Sequence, residues 1–170
     1  MARYSISVNN RSAEVDAAED TPLLYVLANA LGLKGPRLGC GLAQCGSCSV
    51  LINGVETRAC VTPISELRGR SITTLEGLAA QYGRDKKLTQ APDVHPLQQA
   101  LIDEQAPQCG YCYNGMIVKG AELLSRNSDP NEAEIRREMN GHLCRCGTYP
   151  RIIKAIQRAA RVMRSSANRG

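Results

Sequence analysis

Three cysteines, Cys40, Cys45 and Cys48, stand in the spacing C-x4-C-x2-C, and Cys60 follows after eleven intervening residues. Gly39, Gly41 and Gly46 are interleaved with them. Thiolates in this order match the ligands of a plant-type 2Fe–2S loop, so the chemistry suggested is one-electron transfer. An anionic cluster needs backbone N–H groups aimed at its sulfurs, and a glycine-crowded loop folds tightly enough to supply them. A second set follows: Cys109 and Cys112 as C-x2-C, then Cys144 and Cys146 as C-x-C. All eight cysteines of the chain are thereby used, in two sets of four.

The elements around the first set predict how its fourth member arrives. Residues 49–52 read as a strand, Asn53-Gly54 is a strong hairpin signal, and residues 55–61 return. Pairing Ile52 with Val55 sets residue 48 opposite residue 59, which brings Cys60 beside Cys48. A slip of one residue would send Cys60 to the other face of the ribbon. Upstream, residues 3–8 alternate with Tyr4, Ile6 and Val8 on one face, Asn9-Asn10 is a turn, and residues 12–16 return with Ala13 and Val15. Thr21-Pro22 reads as cap and first residue of a helix carrying Leu23, Leu24, Val26, Leu27 and Leu31, with Gly32 as its stop. A strand at 70–73 is expected to close the sheet. Two strands, a helix and a cysteine loop follow a β-grasp order.

Residues 83–96, with a charged run, Pro92 and Pro96, read as a linker or crossing. Helical patterns follow. Leu97, Ala100 and Leu101 mark the first, within 96–105. Ile117, Ala121 and Leu124, flanked by Met116 and Leu123, mark 114–126, and Asn127-Ser128 ends it. Asp129-Pro130-Asn131-Glu132 starts a third with Asp129 as cap, running to about Asn140 before Gly141. Thr148-Tyr149-Pro150 opens the last, with Ile152, Ile153, Ile156 and Ala160 inward, and the tail beyond Ser165 is expected to fray. Both halves of the second cysteine set then precede helix N-termini, whose dipoles favour anionic sulfur. The predicted fold is α+β: an N-terminal β-grasp, ferredoxin-like domain (1–80), a linker (81–96), a C-terminal four-helix bundle (97–165) and a tail (166–170).

Four cysteines also suit zinc, which remains the alternative for each set and more so for the second. Disulfides are the weaker alternative, because C-x-C strains a bridge and the chain opens without an apolar signal segment. His95 reads as a helix-start residue and His142 as support for the ligands or the fold; they do not form a Rieske pair. The basic face Arg151, Lys154, Arg158 and Arg161 reads as solvated or as a docking stripe. At 170 residues and net charge +5, with six Tyr and neither Phe nor Trp, the chain suggests two small cores stabilised by bound metal. No basic run is interleaved with aromatics, so nucleic-acid binding is not indicated. No stretch reaches the length of a membrane span. A cytoplasmic protein is expected. No phosphate loop or nucleotide fingerprint and no catalytic acid, base or nucleophile are recognised.

Gly39-Cys40-Gly41-Leu42-Ala43-Gln44-Cys45-Gly46-Ser47-Cys48, Gln108-Cys109-Gly110-Tyr111-Cys112 and Leu143-Cys144-Arg145-Cys146, in that order, resemble the iron–sulfur subunit of molybdenum hydroxylases, the xanthine oxidase family. The resemblance covers residues 3 to 163. Within the family it is strongest to the small subunits of nicotinate dehydrogenases and isoquinoline oxidoreductases. Tyr113-Asn114 stands where many aldehyde and xanthine enzymes have Thr-Pro, and Gly147-Thr148 where many have Thr-Gly. The resemblance implies two 2Fe–2S clusters, one held by Cys40, Cys45, Cys48 and Cys60, the other by Cys109, Cys112, Cys144 and Cys146. It implies a large partner subunit holding a molybdopterin, in bacterial members usually the cytosine dinucleotide, with Gln108 and Cys146 touching the pterin. Electrons would pass from that centre through the second cluster, then the first, to a FAD or cytochrome c subunit or an external acceptor. The implied complex hydroxylates an N-heteroaromatic ring such as nicotinate or isoquinoline. Alternatives are the same subunit of an aldehyde or purine oxidoreductase, a freestanding two-cluster ferredoxin or redox sensor, and a zinc-stabilised interaction module.

Overall fold

A computed structural model describes residues 1–167. Strands β1 (Ala2–Val8) and β2 (Arg11–Ala17) pair antiparallel about Asn9 and Asn10, both at positive φ. Asparagine is enriched in that region, so the turn suits the residues. Tyr4, Ile6, Val8, Val15 and Ala17 enter one core. Helix α1 (Leu23–Tyr25) continues as a π-helical turn, Val26–Ala30, in which the Leu31 N–H reaches the Val26 carbonyl at 3.2 Å. Leu23, Leu24, Val26 and Leu27 are buried as predicted and Leu31 partly so, but Thr21 is not the helix cap. Pro22 is the boundary residue, extended and bridged to Pro63. The Leu23 N–H bonds the Thr62 carbonyl at 2.8 Å, so backbone from a distant segment replaces the side-chain cap.

Strands β3 (Ser49–Ile52) and β4 (Val55–Arg58) form the predicted hairpin in the predicted register, Ile52 opposite Val55 and Ser49 opposite Arg58. Asn53 and Gly54 both take positive φ. The returning strand ends at Arg58 instead of Val61, because the Val61 N–H turns back to the Arg58 carbonyl at 3.3 Å and the Leu24 N–H takes the Ala59 carbonyl at 3.0 Å. Strand β5 (Ser71–Thr73) does not close the sheet; it lies at its centre, in the order β2-β1-β5-β3-β4. It runs parallel to β1 and antiparallel to β3. The two hairpin turns explain this placement. The Asn53 side chain accepts from the Ser71 N–H at 2.9 Å, and the Asn9 side chain accepts from the Thr74 N–H at 2.9 Å. Each turn asparagine clasps one end of β5.

After 3-10 turns at Ile64–Leu67 and Leu75–Gly77 comes helix α2 (Leu78–Asp85), whose C-terminal end overlaps the start of the segment expected as linker. Leu78 and Tyr82 seat it on the second core. Helices α3 (Pro96–Asp103), α4 (Tyr113–Arg126), α5 (Glu132–Glu138) and α6 (Tyr149–Ala167) surround that core. The inward residues predicted for α3, α4 and α6 are all buried. His95 caps α3 through Nδ1, which accepts from the Leu97 N–H at 3.1 Å. The cap of α5 is Asn131, not Asp129: Asn131 and Glu134 bond each other's backbone N–H at 3.0 and 2.7 Å, a capping box that Asp129 is two residues too early to form. The helix stops at Glu138, short of Asn140. Helix α6 continues through Ser165 and Ser166, where a frayed tail was expected; residues 168–170 of that tail lie outside the described residues.

The expected basic stripe of α6 is partly consumed within the chain. Arg158 pairs with Asp103 and Glu104 at 3.1 and 3.2 Å, and Arg151 donates to the Gln105 carbonyl at 2.8 Å. Among the described residues no helix is long and apolar enough to cross a membrane. The two cores meet at β3: Val50 and Ile52 face the sheet core, while Leu51 enters the helical one, on which α4 packs.

Candidate metal centre

No disulfide joins any of the eight cysteines. The hairpin register delivers Cys60 to Cys48, and both are buried, whereas Cys40 and Cys45 on the preceding loop are half-exposed. That loop folds as a cradle of N–H groups. The Leu42 and Gln44 N–H groups donate to Cys40 Sγ at 3.3 and 3.2 Å, and the Cys40 N–H donates to Cys45 Sγ at 3.3 Å. Gly41, Ala43 and Gly46 take positive φ to allow it. At Gly39 the constraint is contact, since a Cβ there would lie 2.6 Å from Cys45 Sγ.

The second set gathers at helix starts, as predicted. Cys112 is the boundary residue of α4, and Cys144 lies 3.9 Å (Sγ to Oγ1) from Thr148, just before α6. Tyr149 Oη accepts from the Cys144 N–H at 2.7 Å, and Tyr113 Oη lies 3.1 Å from Thr148 Oγ1. Cys146 Sγ lies 3.7 Å from Cys109 Sγ. Gln108 and Cys109 are exposed, and Cys146 is half-buried beside them.

The thiols associate in pairs: Cys40 with Cys45, Cys48 with Cys60, Cys109 with Cys146, and Cys112 with Cys144. Two sulfurs about 2.3 Å from one tetrahedral metal lie about 3.8 Å apart, which the Cys109–Cys146 separation of 3.7 Å matches. The electrostatics differ within each set. The Leu42 N–H, followed by those of Gln44 and Cys45, brings Cys40 down to about 7 against the cost of burial. For Cys144 burial is the largest influence and raises the pKa, but the Thr148 N–H, Cys112, the Thr148 hydroxyl and the Cys146 N–H outweigh it, to about 7. Burial pushes Cys48 and Cys112 up to about 12. Metal loading therefore expels protons from the buried members. The donor set fits iron–sulfur clusters: soft anionic sulfur in pairs, under N–H groups, with no room at Gly39 of the first loop for a side chain beside Cys45.

Several residues that join the two sets were not legible in the sequence. Asn114 donates to the Ser47 and Ser49 carbonyls at 2.9 and 2.8 Å, fixing the first turn of α4 on the first loop. A Cβ at Gly115 would overlap the Gly46 carbonyl oxygen. Tyr111 Oη donates to the Leu38 carbonyl at 2.6 Å, and the Leu143 N–H donates to the Cys45 carbonyl at 2.9 Å. Arg58 and the buried His142 complete the junction, Nη1 to Nε2 at 2.8 Å. His142 was expected to support the site; Arg58, two positions before a cysteine, carried no distinguishing signal.

Two protein-family descriptions match the chain: a 2Fe–2S iron–sulfur cluster binding domain over residues 12–92 and a 2Fe–2S binding domain over residues 74–157. A nicotinate dehydrogenase subunit from Pseudomonas putida is 51% identical over 94% of this chain and 96% of its own length. The chain belongs to the iron–sulfur subunits of the molybdenum hydroxylase, or xanthine oxidase, family. The alpha subunit of isoquinoline 1-oxidoreductase from Brevundimonas diminuta is 48% identical over 86% of this chain and 89% of its own length. The crystal structure of quinoline 2-oxidoreductase from Pseudomonas putida 86 superimposes with a TM-score of 0.84 at 33% identity, covering 99% of this chain and 97% of that one. As a member of this family the chain is an electron-transfer subunit of an oxidoreductase.

Proposed function

We propose that Cys40, Cys45, Cys48 and Cys60 hold one 2Fe–2S cluster and Cys109, Cys112, Cys144 and Cys146 the other, in a subunit that carries electrons away from a partner's molybdenum centre. The observation that carries this reading is the pairing of thiols, two pairs per set, with one pair at 3.7 Å. Bound clusters supply one-electron carriage between the partner's active metal and an acceptor. The residues of this chain hold, shield and orient: N–H groups meet exposed sulfur, and buried Cys48, Cys60 and Cys112 exclude water. The hairpin side of the chain serves as a ferredoxin-like β-grasp domain (1–80), joined across 81–96 to a helical domain (97–165) that acts as a four-helix bundle.

Gln108 and Cys146, on the rim of the second set, are the contacts for a molybdopterin, as its cytosine dinucleotide, in a large partner subunit; their exposure and half-burial support this. A FAD or cytochrome c subunit, or an external acceptor, takes the electrons, and the complex works in the cytoplasm. The relatives named for nicotinate and isoquinoline support an N-heteroaromatic substrate for the complex. Isolation of the native complex tests the reading. Reductive titration followed by EPR should give two distinct 2Fe–2S signals in a preparation that also contains molybdenum. A monomer free of molybdenum at every step contradicts the subunit role. Turnover of aldehydes or purines in place of pyridine-type rings contradicts the substrate class.

A further inference from the structure

Arg58 touches both cysteine loops at once. Its Nε donates to the Ala43 carbonyl at 3.2 Å, in the loop between Cys40 and Cys45. Its Nη2 donates to the Gly141 carbonyl at 3.1 Å, in the turn that leads to Cys144. Nη1 lies 2.7 Å from Ser49 Oγ and 2.8 Å from His142 Nε2, and pairs with the Glu56 carboxylate. A guanidinium only donates, so His142 Nε2 accepts in its contact with Arg58, while His142 Nδ1 is buried without a hydrogen-bond partner among the described residues. Ser49 accepts from Arg58 because its own proton goes to the Gly46 carbonyl at 2.7 Å. The arrangement is buried: the Arg58 side chain is 17% exposed and that of His142 is 2% exposed. Beside it the Leu143 N–H meets the Cys45 carbonyl at 2.9 Å. One hydrogen bond thus joins a residue of the first set to the neighbour of Cys144 in the second.

We propose that Arg58 is the positioning residue for the two metal sites: its forked side chain holds the loop of Cys45 and the loop of Cys144 in the one register that makes the Leu143–Cys45 bond. A strand-end arginine serving the hairpin alone would need no partner beyond Glu56 and Ser49. Three of its contacts, at Ala43, Gly141 and His142, are instead made to the two ligand-bearing loops. A lysine carries its three donors on one nitrogen and lacks the fixed fork by which Arg58 reaches Ala43, Gly141 and His142 from three separate nitrogens.

The inference rests on both sets being cluster ligands, and the test separates the two claims. Wild type, Arg58→Lys and Arg58→Ala are compared as full chains, in the complex in which each is isolated. Hydrogen exchange of the segment 141–147 reports the Leu143 bond whether or not iron is bound. EPR of the fully reduced protein reports the magnetic splitting between the two centres. Arg58→Ala should retain both clusters, exchange Leu143 about tenfold faster or more, as loss of a charge-assisted hydrogen bond implies, and show a narrowed splitting. Arg58→Lys should move both readouts in the same direction by less. Wild-type exchange and splitting in both variants overturns the proposal, as does faster exchange with unchanged splitting, or exchange accelerated equally throughout the chain. If Arg58→Ala does not accumulate folded, Arg58→Lys decides by the same criteria. A wild-type protein without iron sinks the cluster reading, leaving exchange at Leu143 to judge Arg58.

Discussion

Gly39 shows how narrowly the first loop is drawn around its sulfurs. It is not among the glycines at positive φ, so an alanine there meets no left-handed strain. The cost is contact, because a Cβ would sit 2.6 Å from Cys45 Sγ. Gly39→Ala is expected to displace that thiol and empty the first site alone. Metal analysis should then find about half of the wild-type iron, on the basis of two clusters of equal size; full iron content would show that the loop yields. The sequence pointed to this glycine by its place next to Cys40. The sequence did not reveal Asn114, Tyr111 or Arg58, because each acts across more than forty residues of chain and only the packed fold brings its partner near.

Two elements carry predictions of their own. The β3–β4 hairpin sets Cys60 against Cys48 by register, and Asn53-Gly54 fixes that register. Replacing the pair by a longer loop should abolish the first site and leave the second, which lies on separate helices; loss of one of the two EPR signals is the readout. The N-terminus of α3 gives a pH signature that involves none of the cysteines. Burial holds the cap residue His95 down to about 4, below the usual value of about 6.5. The unfolded chain therefore takes up this proton first. The contribution of His95 is whole above about pH 6.5 and declines as the pH falls towards about 4, by about 3 kcal/mol. His95→Asn keeps a good cap and removes the titration. Its unfolding free energy should change less than that of wild type between these pH values, even though lost packing lowers stability throughout. Equal slopes would contradict the assignment.

Elements with a local signal were legible in the sequence: the two hairpins with their asparagine turns, the inward faces of α3, α4 and α6, and the helix starts at the second cysteine set. Misread features depend on distant backbone. Pro22 bounds α1 because Thr62 accepts the Leu23 N–H, and β5 is central because asparagines from two separate turns hold its ends. Segment 78–85 is helical because Leu78 and Tyr82 find a core made by other helices, which its charged sequence neighbours conceal.

At the scale of the whole molecule, β3 is shared. Leu51 is 7% exposed and belongs to the helical core although its neighbours Val50 and Ile52 belong to the sheet core. A loop that crosses the surface is therefore not a boundary where the chain comes apart. Lys86 and Lys87 are exposed beyond α2, and Lys87 takes positive φ. Trypsin should nick there first, and the two fragments should co-elute under native conditions, separating only in denaturant. Fragments that part in native buffer would show that the β3–α4 contact and the Arg58 junction are too weak to bind the halves.

All of this depends on what the eight thiols hold. The direct measurement is the iron and acid-labile sulfide content of the purified chain. About four irons and four sulfides per chain are expected, two of each for every cluster. Two zinc ions without sulfide, or cysteines linked to one another in place of metal, would contradict it.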